Sequence, residues 1–168
     1  MTWPFRNVLR AGAILALTST LAACSFEPRV DRNTQTTEAE TPHKEVVEVP
    51  GVARLPVFSS AIRSEDFIFL SGAIGAAPGD EIQLVEGGIG PETRQTLENL
   101  RNVIEAAGGS MADMVKCTVF LADMADYAAM NEVYLDFFPS DPPARSALAS
   151  GGLAFDARVE IECIAAAR

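Results

Sequence analysis

Histidine and basic residues are scarce in this sequence. Its 168 residues include one histidine, and 13 Lys and Arg stand against 23 Asp and Glu, for a formal net charge of −10. His43 precedes the predicted folded domain, residues 46–168, so a Ser-His-Asp or Cys-His relay and a histidine-based metal site are excluded within that domain. Because the sequence also lacks a basic cluster, it predicts no nucleic-acid partner.

Phosphate-binding loops are absent, and cysteines are few. The chain has no Gly-x-x-x-x-Gly-Lys loop, and "SGAIGAAPG" lacks the strand-to-helix context of a phosphate cradle, so we interpret it as a turn. No metal or cofactor is therefore expected. Of the three cysteines, Cys117 and Cys163 fall in strand-like runs, where they form either a disulfide or two buried free thiols.

The third cysteine, Cys24, ends a segment that has the features of an export signal. Residues 1–23 contain Arg6 and Arg10 but no acid, followed by the apolar run "AGAILALTSTLAA", which is too short to span a bilayer. The sequence "LAAC" resembles a bacterial lipobox, in which the cysteine is lipidated; the alternative is an ordinary cleaved signal that contains a cysteine. The pattern predicts a lipid anchor at Cys24 on the periplasmic face of the bacterial cell envelope. Ser25 favours the outer membrane over the inner one.

Residues 24–45 and 46–168 differ in composition. The first segment is rich in Thr, Glu and charge with little apolar periodicity, which is typical of a flexible tether. The second is long enough to build a hydrophobic core. The predicted organisation is therefore a lipoprotein-type signal peptide over 1–23, a lipidated cysteine with a tether over 24–45, and a folded domain over 46–168.

Hydrophobic periodicity predicts an α+β fold for the domain. Helices are expected over about 91–107 and 124–137, and the second places four large residues on one side: Tyr127, Met130, Tyr134 and Phe137. Strands are expected over 66–71, 81–86, 113–123, 144–150 and 158–166, with a further one in "VVEVP". The strands 66–71 and 81–86 would form a hairpin. The predicted architecture is a mixed β-sheet with two helices packed on one face.

Two stretches near the C-terminus carry the residues best suited to chemistry. In "RVEIECIA", Val159, Ile161 and Cys163 alternate with acids, so one face packs under the helices and the other carries carboxylates. In "DPPARSALAS", Arg145 is an isolated cation whose planar guanidinium suits a carboxylate ligand, and a nearby Glu160 can orient or deprotonate water. Their strands are expected to be neighbours; the alternative is a plain solvated carboxylate face.

The motifs "LSGAIG", "QTLENLRNVIEAAGGSMADMVKCTVFLADMADYAAMNEVY", "PPARSALAS" and "VEIECIA" together resemble the RidA/YjgF family of imine deaminases. The resemblance covers about residues 54–168. It implies a chorismate-mutase-like α+β fold and a homotrimer with ligand sites in the clefts between subunits. The implied activity is hydrolysis of reactive 2-imino or enamine acids to 2-oxo acids and ammonia, without a cofactor.

The resemblance also implies roles for individual residues. Arg145 matches the arginine that holds the substrate carboxylate, and Glu160 matches the glutamate that orients or activates water. Asn131 and Ser71 match residues that complete the cleft. Gly72 would let the backbone approach the ligand.

Two positions depart from the family pattern. Phe58 stands where a tyrosine is usual and would form an apolar wall of the cleft, and Ala147 stands where a cysteine is usual. A non-catalytic module that binds small carboxylates or other proteins on the same trimer is therefore the alternative function. A mutase-like isomerase is a third, since a shared fold does not fix the chemistry.

Overall fold

The computed structural model describes residues 43–50 and 56–168, so the predicted signal, the lipidation at Cys24 and nearly all of the predicted tether lie outside the described residues. The strands and α-helices are β1 Glu45–Val47, β2 Ala61–Ser64, β3 Phe67–Ile74, α1 Ile89–Ala106, β4 Met114–Leu121, α2 Tyr127–Phe137, β5 Ala144–Ala149 and β6 Val159–Ala166. They form one sheet in the order β1-β2-β3-β6-β4-β5. Only the β4–β5 pair is parallel within this sheet, so the predicted mixed α+β architecture is confirmed.

Both helices pack on one face of the sheet, as predicted. Leu97, Leu100 and Ile104 of α1 recur at helical spacing and are fully buried in the core. From α2, Met130 and Tyr134 enter the same core, whereas Tyr127 is exposed although its spacing placed it on the buried side. None of the helices in the described ranges is long and apolar enough to cross a membrane.

The hairpin that contains β3 differs from the prediction. Its partner strand is β2, joined through a tight turn in which Glu65 has a φ of 49°, and not the predicted strand 81–86. Residues 81–86 contribute one isolated bridge, between Ala76 and Leu84. The four residues of β2, "AIRS", include two polar side chains, so the sequence gives little β signal there.

The central strand β6 shows the predicted alternation. Val159, Ile161 and Cys163 are buried beneath the helices, while Glu160 and Glu162 lie on the opposite face of the sheet. Cys163 is directly opposite Cys117 on β4, and the two form a disulfide. The open choice between a disulfide and two free thiols is thereby resolved.

Candidate functional site

Glu160 lies against the backbone of Gly72, at an irregularity in β3. The pairing of β3 with β6 shifts register between Leu70 and Ala73, which releases Ser71 and Gly72 from the regular ladder. A Cβ atom at position 72 would lie 2.0 Å from Glu160 Oε1, so glycine leaves room for the carboxylate where it now lies, and a side chain would displace it. Ser71 Oγ donates to the Ser59 carbonyl at 2.7 Å, which ties β3 to the segment that carries Phe58.

A cavity of about 720 Å³ opens at this point. Four predicted site residues line it: Phe58, Ser71, Gly72 and Glu160. The structure adds Phe155 and Asn99, which the sequence interpretation missed. The Asn99 amide donates to the carbonyls of Ile74 at 3.0 Å and Ala76 at 2.9 Å and so holds the loop after β3 against α1. The sequence of α1 gives no signal for Asn99, because most residues of this helix are polar. We call Phe58, Ser71, Gly72 and Glu160 the glutamate cluster.

The carboxyl group of Glu160 holds its proton more tightly than an ordinary glutamate. Partial burial raises the pKa of Glu160, and the negative charge of Glu162 on the same strand raises it further. A carboxylate with a raised pKa is a stronger base near neutral pH. Glu160 is therefore suited to accept a proton from water.

Arg145 occupies a second group of side chains, on β5 and α2. Its Nη2 donates to Tyr127 Oη at 3.2 Å, and its guanidinium carbon lies 5.7 Å from the Tyr127 ring centre and 4.6 Å from that of Tyr134. None of the ion pairs found among the described residues includes Arg145. The guanidinium is thus supported by aromatic rings and retains donors for a ligand.

Asn131 belongs to the same group. Tyr127, Asn131 and Tyr134 follow one another at intervals of four and three residues and so share one side of α2. A hydrogen bond from the Asn131 side chain, and then the hydrogen bond and positive charge of Arg145, lower the pKa of Tyr127. Burial raises the pKa of Tyr134 to about 12. We call Arg145, Asn131, Tyr127 and Tyr134 the arginine cluster.

The two clusters lie on opposite faces of the sheet. Arg145 is in register with Cys117, and Cys117 with Cys163, all on the face that the helices cover. Glu160 is in register with Phe120, on the other face. The expectation that the strands of Arg145 and Glu160 are neighbours is wrong, because β5 pairs in parallel with β4 and lies outside it at the sheet edge. A single chain does not bring the predicted catalytic pair together.

Two further predictions concern Ala147 and metal binding. Ala147, at the position of the usual cysteine, is partly buried and packs against the core from β5. Among residues 43–50 and 56–168, no group of three or more His, Cys, Asp or Glu side chains is arranged to hold a metal ion.

Comparison with known proteins gives a match to one family model and to several named relatives. Residues 36–167 match the model of a family described as Endoribonuclease L-PSP. The chain is 38% identical over 128 residues to Reactive Intermediate Deaminase A, chloroplastic, of Arabidopsis thaliana, which covers 76% of this chain and 68% of that protein. It is 41% identical over 113 residues to the 2-iminobutanoate/2-iminopropanoate deaminase of Mus musculus, covering 67% of this chain and 83% of the relative.

Solved structures share the fold. A yeast protein superposes with a TM-score of 0.71 at 35% identity, over 75% of this chain and 100% of its own. The Escherichia coli protein TdcF with bound serine gives a TM-score of 0.68 at 29% identity, over 74% of this chain and 99% of its own.

The predicted location in a bacterial envelope is wrong. Relatives whose names state a location are chloroplastic or mitochondrial, including the mitochondrial protein mmf2 of Schizosaccharomyces pombe, 41% identical over 112 residues covering 65% of this chain and 86% of its own. The prediction depended on residues 1–24, where arginines without acids precede an apolar run. Organelle-targeting peptides are also rich in arginine and poor in acids, so this pattern does not discriminate between the two destinations.

Proposed function

The chain belongs to the Endoribonuclease L-PSP family, the RidA/YjgF family expected from its motifs, and from this premise we propose that it hydrolyses reactive 2-imino acids to 2-oxo acids and ammonia. The observation that carries the proposal is its 41% identity, across 83% of the relative's length, to a protein named 2-iminobutanoate/2-iminopropanoate deaminase. The chemistry of the two clusters supports it, because one offers a base next to a cavity and the other a cation that has no carboxylate partner among residues 43–50 and 56–168.

RNA cleavage, which the family description names, fits the chain less well. Its formal net charge is −10, and its single histidine is His43, outside the two clusters. Phosphate backbones are bound mainly by Lys and Arg, and in this sequence 13 such residues stand against 23 acids. A small organic acid fits the lone guanidinium of Arg145 better.

In the proposed reaction, Arg145 binds the carboxylate of the 2-imino acid through its planar fork. Glu160 orients a water molecule and takes a proton from it as the oxygen attacks C2, which forms a C–O bond and turns the C=N bond into a C–N bond. Glu160 then returns the proton to nitrogen. Glu160 next accepts the remaining hydroxyl proton and passes it to the same nitrogen as the C–N bond breaks, so that ammonia leaves and the C=O bond of the 2-oxo acid forms. One water is consumed, and no oxidant or reductant is required.

The remaining residues of the glutamate cluster shape the site in this scheme. Ser71 keeps β3 in place through its bond to the Ser59 carbonyl, and Gly72 leaves the space that the Glu160 carboxylate occupies. Phe58 forms an apolar wall of the cavity. Asn131 supports the arginine cluster through Tyr127.

Because the two clusters face opposite sides of one sheet, we propose that a homotrimer completes the site. In each cleft, the arginine cluster of one subunit meets the glutamate cluster of the next. The open face of the sheet supports an assembly: Val46, Phe67, Phe69 and Leu148 there are each between 40 and 45% exposed. Apolar side chains so disposed on one face are typical of a surface covered by another subunit.

The direct test measures 2-oxo acid release from freshly generated 2-iminobutanoate and 2-iminopropanoate, with semicarbazide competing for free imine. We expect the wild type to accelerate release, and Arg145→Ala and Glu160→Gln to lose about 10²-fold or more of kcat/KM. Arg94→Ala and Glu98→Gln are the matched controls, since each removes a charge engaged in an exposed ion pair elsewhere. Both are expected to keep wild-type rates.

A well-folded wild-type protein without acceleration would contradict the deaminase proposal. The alternative, a small-carboxylate-binding module, would then be supported by thermal stabilisation on addition of a 2-oxo acid. Phe58→Tyr decides whether the absent phenol explains the missing turnover: regained release would restore the deaminase chemistry to this site.

A further inference from the structure

The phenol of Tyr127 is unusually placed for a surface tyrosine. It lies in the first turn of α2, is 37% exposed, and its oxygen accepts a hydrogen bond from Arg145 Nη2 at 3.2 Å. Asn131 lies one turn further along the same side of α2, and its side chain, ahead of Arg145, lowers the pKa of Tyr127. A guanidinium can only donate, so Arg145 is the donor in its hydrogen bond with the phenol.

The contact with Arg145 does not use the hydroxyl hydrogen of Tyr127. A guanidinium only donates hydrogen bonds, so the single O–H of the phenol stays available beside it. Among the hydrogen bonds of residues 43–50 and 56–168, none has this hydroxyl as its donor. Tyr134 differs, because its hydroxyl is buried and has no partner there, so it is closed to a ligand.

We infer that Tyr127 is a substrate-binding residue that donates its O–H to the same carboxylate that Arg145 binds. The inference rests on the proposed function for the identity of that ligand. A carboxylate has about four acceptor positions, so the guanidinium fork and one phenol can be accommodated together. The resulting clamp selects small 2-imino and 2-oxo acids with a free, ionised carboxyl group over their esters and amides.

This assignment offsets the loss of a phenol at Phe58. The family resemblance leads one to expect a phenol at position 58, in the glutamate cluster, and the chain has a phenylalanine there. Tyr127 supplies a phenol from the arginine cluster instead. The cleft proposed here thus retains one phenolic hydroxyl, which acts on the carboxylate side of the substrate.

The kinetic test uses the full chain and the variant Tyr127→Phe, which removes only the hydroxyl. We expect KM for 2-iminobutanoate to rise about tenfold, the effect of one lost hydrogen bond to a charged group, with kcat within about twofold because the bond is made equally in ground and transition states. Leu135→Ala, on the exposed side of α2, is the control and keeps wild-type constants. An unchanged melting temperature of Tyr127→Phe excludes a folding defect.

The binding test uses 2-oxobutanoate and its methyl ester in titration calorimetry. We expect Tyr127→Phe to weaken the acid about tenfold and to leave the ester's affinity unchanged. If the wild type turns over imine and Tyr127→Phe keeps its KM within about twofold, the inference is overturned while the proposed function stands. If the wild type does not turn over imine, the proposed function fails, and the affinities alone decide: a selective loss for the acid supports the inference, and equal or absent binding overturns it.

Discussion

At the scale of single residues, Arg145 is held in place without being neutralised. Rings support its guanidinium, at 4.6 Å from the Tyr134 centre and 5.7 Å from that of Tyr127. Since burial raises the pKa of Tyr134 to about 12, its phenol stays uncharged at neutral pH and does not compete with an anionic ligand. Aromatic support therefore fixes the cation and preserves its charge for the substrate.

The raised pKa of Glu160 gives a prediction about pH dependence. If ionised Glu160 is the base, kcat/KM falls as the pH drops through its pKa, at a higher pH than for an ordinary glutamate. Glu162→Gln removes the neighbouring negative charge that helps to raise this pKa, so the acid limb of the kcat/KM profile should move to lower pH. Glu98→Gln, on α1, should leave the profile where it is; an identical shift in both variants would contradict this origin of the pKa.

At the scale of secondary structure, β6 and β4 hold the sheet together. They are joined by an antiparallel ladder, irregular between Met114 and Lys116, and by the disulfide between Cys117 and Cys163, which are opposed in register and buried. β6 also pairs with β3, so it forms the centre of the sheet from which Glu160 extends. A covalent link at this point fixes the register of the strand that carries the proposed base.

The disulfide gives a prediction about stability. Its cysteines are 46 residues apart, so the link restricts the unfolded chain considerably. We expect the double variant Cys117→Ala/Cys163→Ala to lose about 2–4 kcal/mol of free energy of unfolding, measured by urea denaturation without reductant at one fixed protein concentration. Wild type in reductant should approach the variant's value. Equal stability of the oxidised wild type and the double variant would show that the link contributes nothing.

Most elements were predictable because their patterns are local. The apolar spacing of α1, the alternation of β6 and the run that forms β4 each follow from neighbouring residues. Strand β2 was missed because four residues with Arg63 and Ser64 carry little β signal. Strand β5 lies beside β4 and not beside β6. The number of residues between Arg145 and Glu160 does not determine this order, which depends on how the whole chain is connected.

The sequence names candidate site residues one by one but does not show how they are arranged. Glu160, Gly72 and Ser71 line one cavity, and their roles stay predictions. Tyr127 was missed, because its helical spacing indicated the core and only the position of Arg145 gives its hydroxyl a role. Such contacts depend on tertiary packing, which a single sequence does not display.

At the scale of the whole molecule, the division into two clusters predicts complementation between inactive subunits. In a trimer whose sites lie between subunits, Arg145→Ala and Glu160→Gln chains each retain the half that the other lacks. Random mixing in equal amounts gives an intact arginine cluster with probability one half and an intact glutamate cluster with probability one half. About a quarter of the sites should then be complete, and about a quarter of wild-type activity should return.

The experiment refolds the two variants together from denaturant and compares them with each variant refolded alone. Light scattering establishes the trimer, and 2-oxo acid release reports the sites. Mixtures that stay as inactive as the separate variants would contradict a site shared between subunits. Phe69→Lys, which places a charge on the open apolar face, should abolish both assembly and complementation.

The register shift between Leu70 and Ala73 separates two kinds of evolutionary constraint on β3. On either side of the shift, side chains alternate between the two faces of the sheet, and a substitution on the helix-covered face alters the packing of the hydrophobic core. Gly72 is released from that alternation, so a side chain added there first meets the Glu160 carboxylate. Evolution can therefore tune the ligand chemistry at Gly72, through the position of the Glu160 carboxylate, while the scaffold's packing is inherited intact.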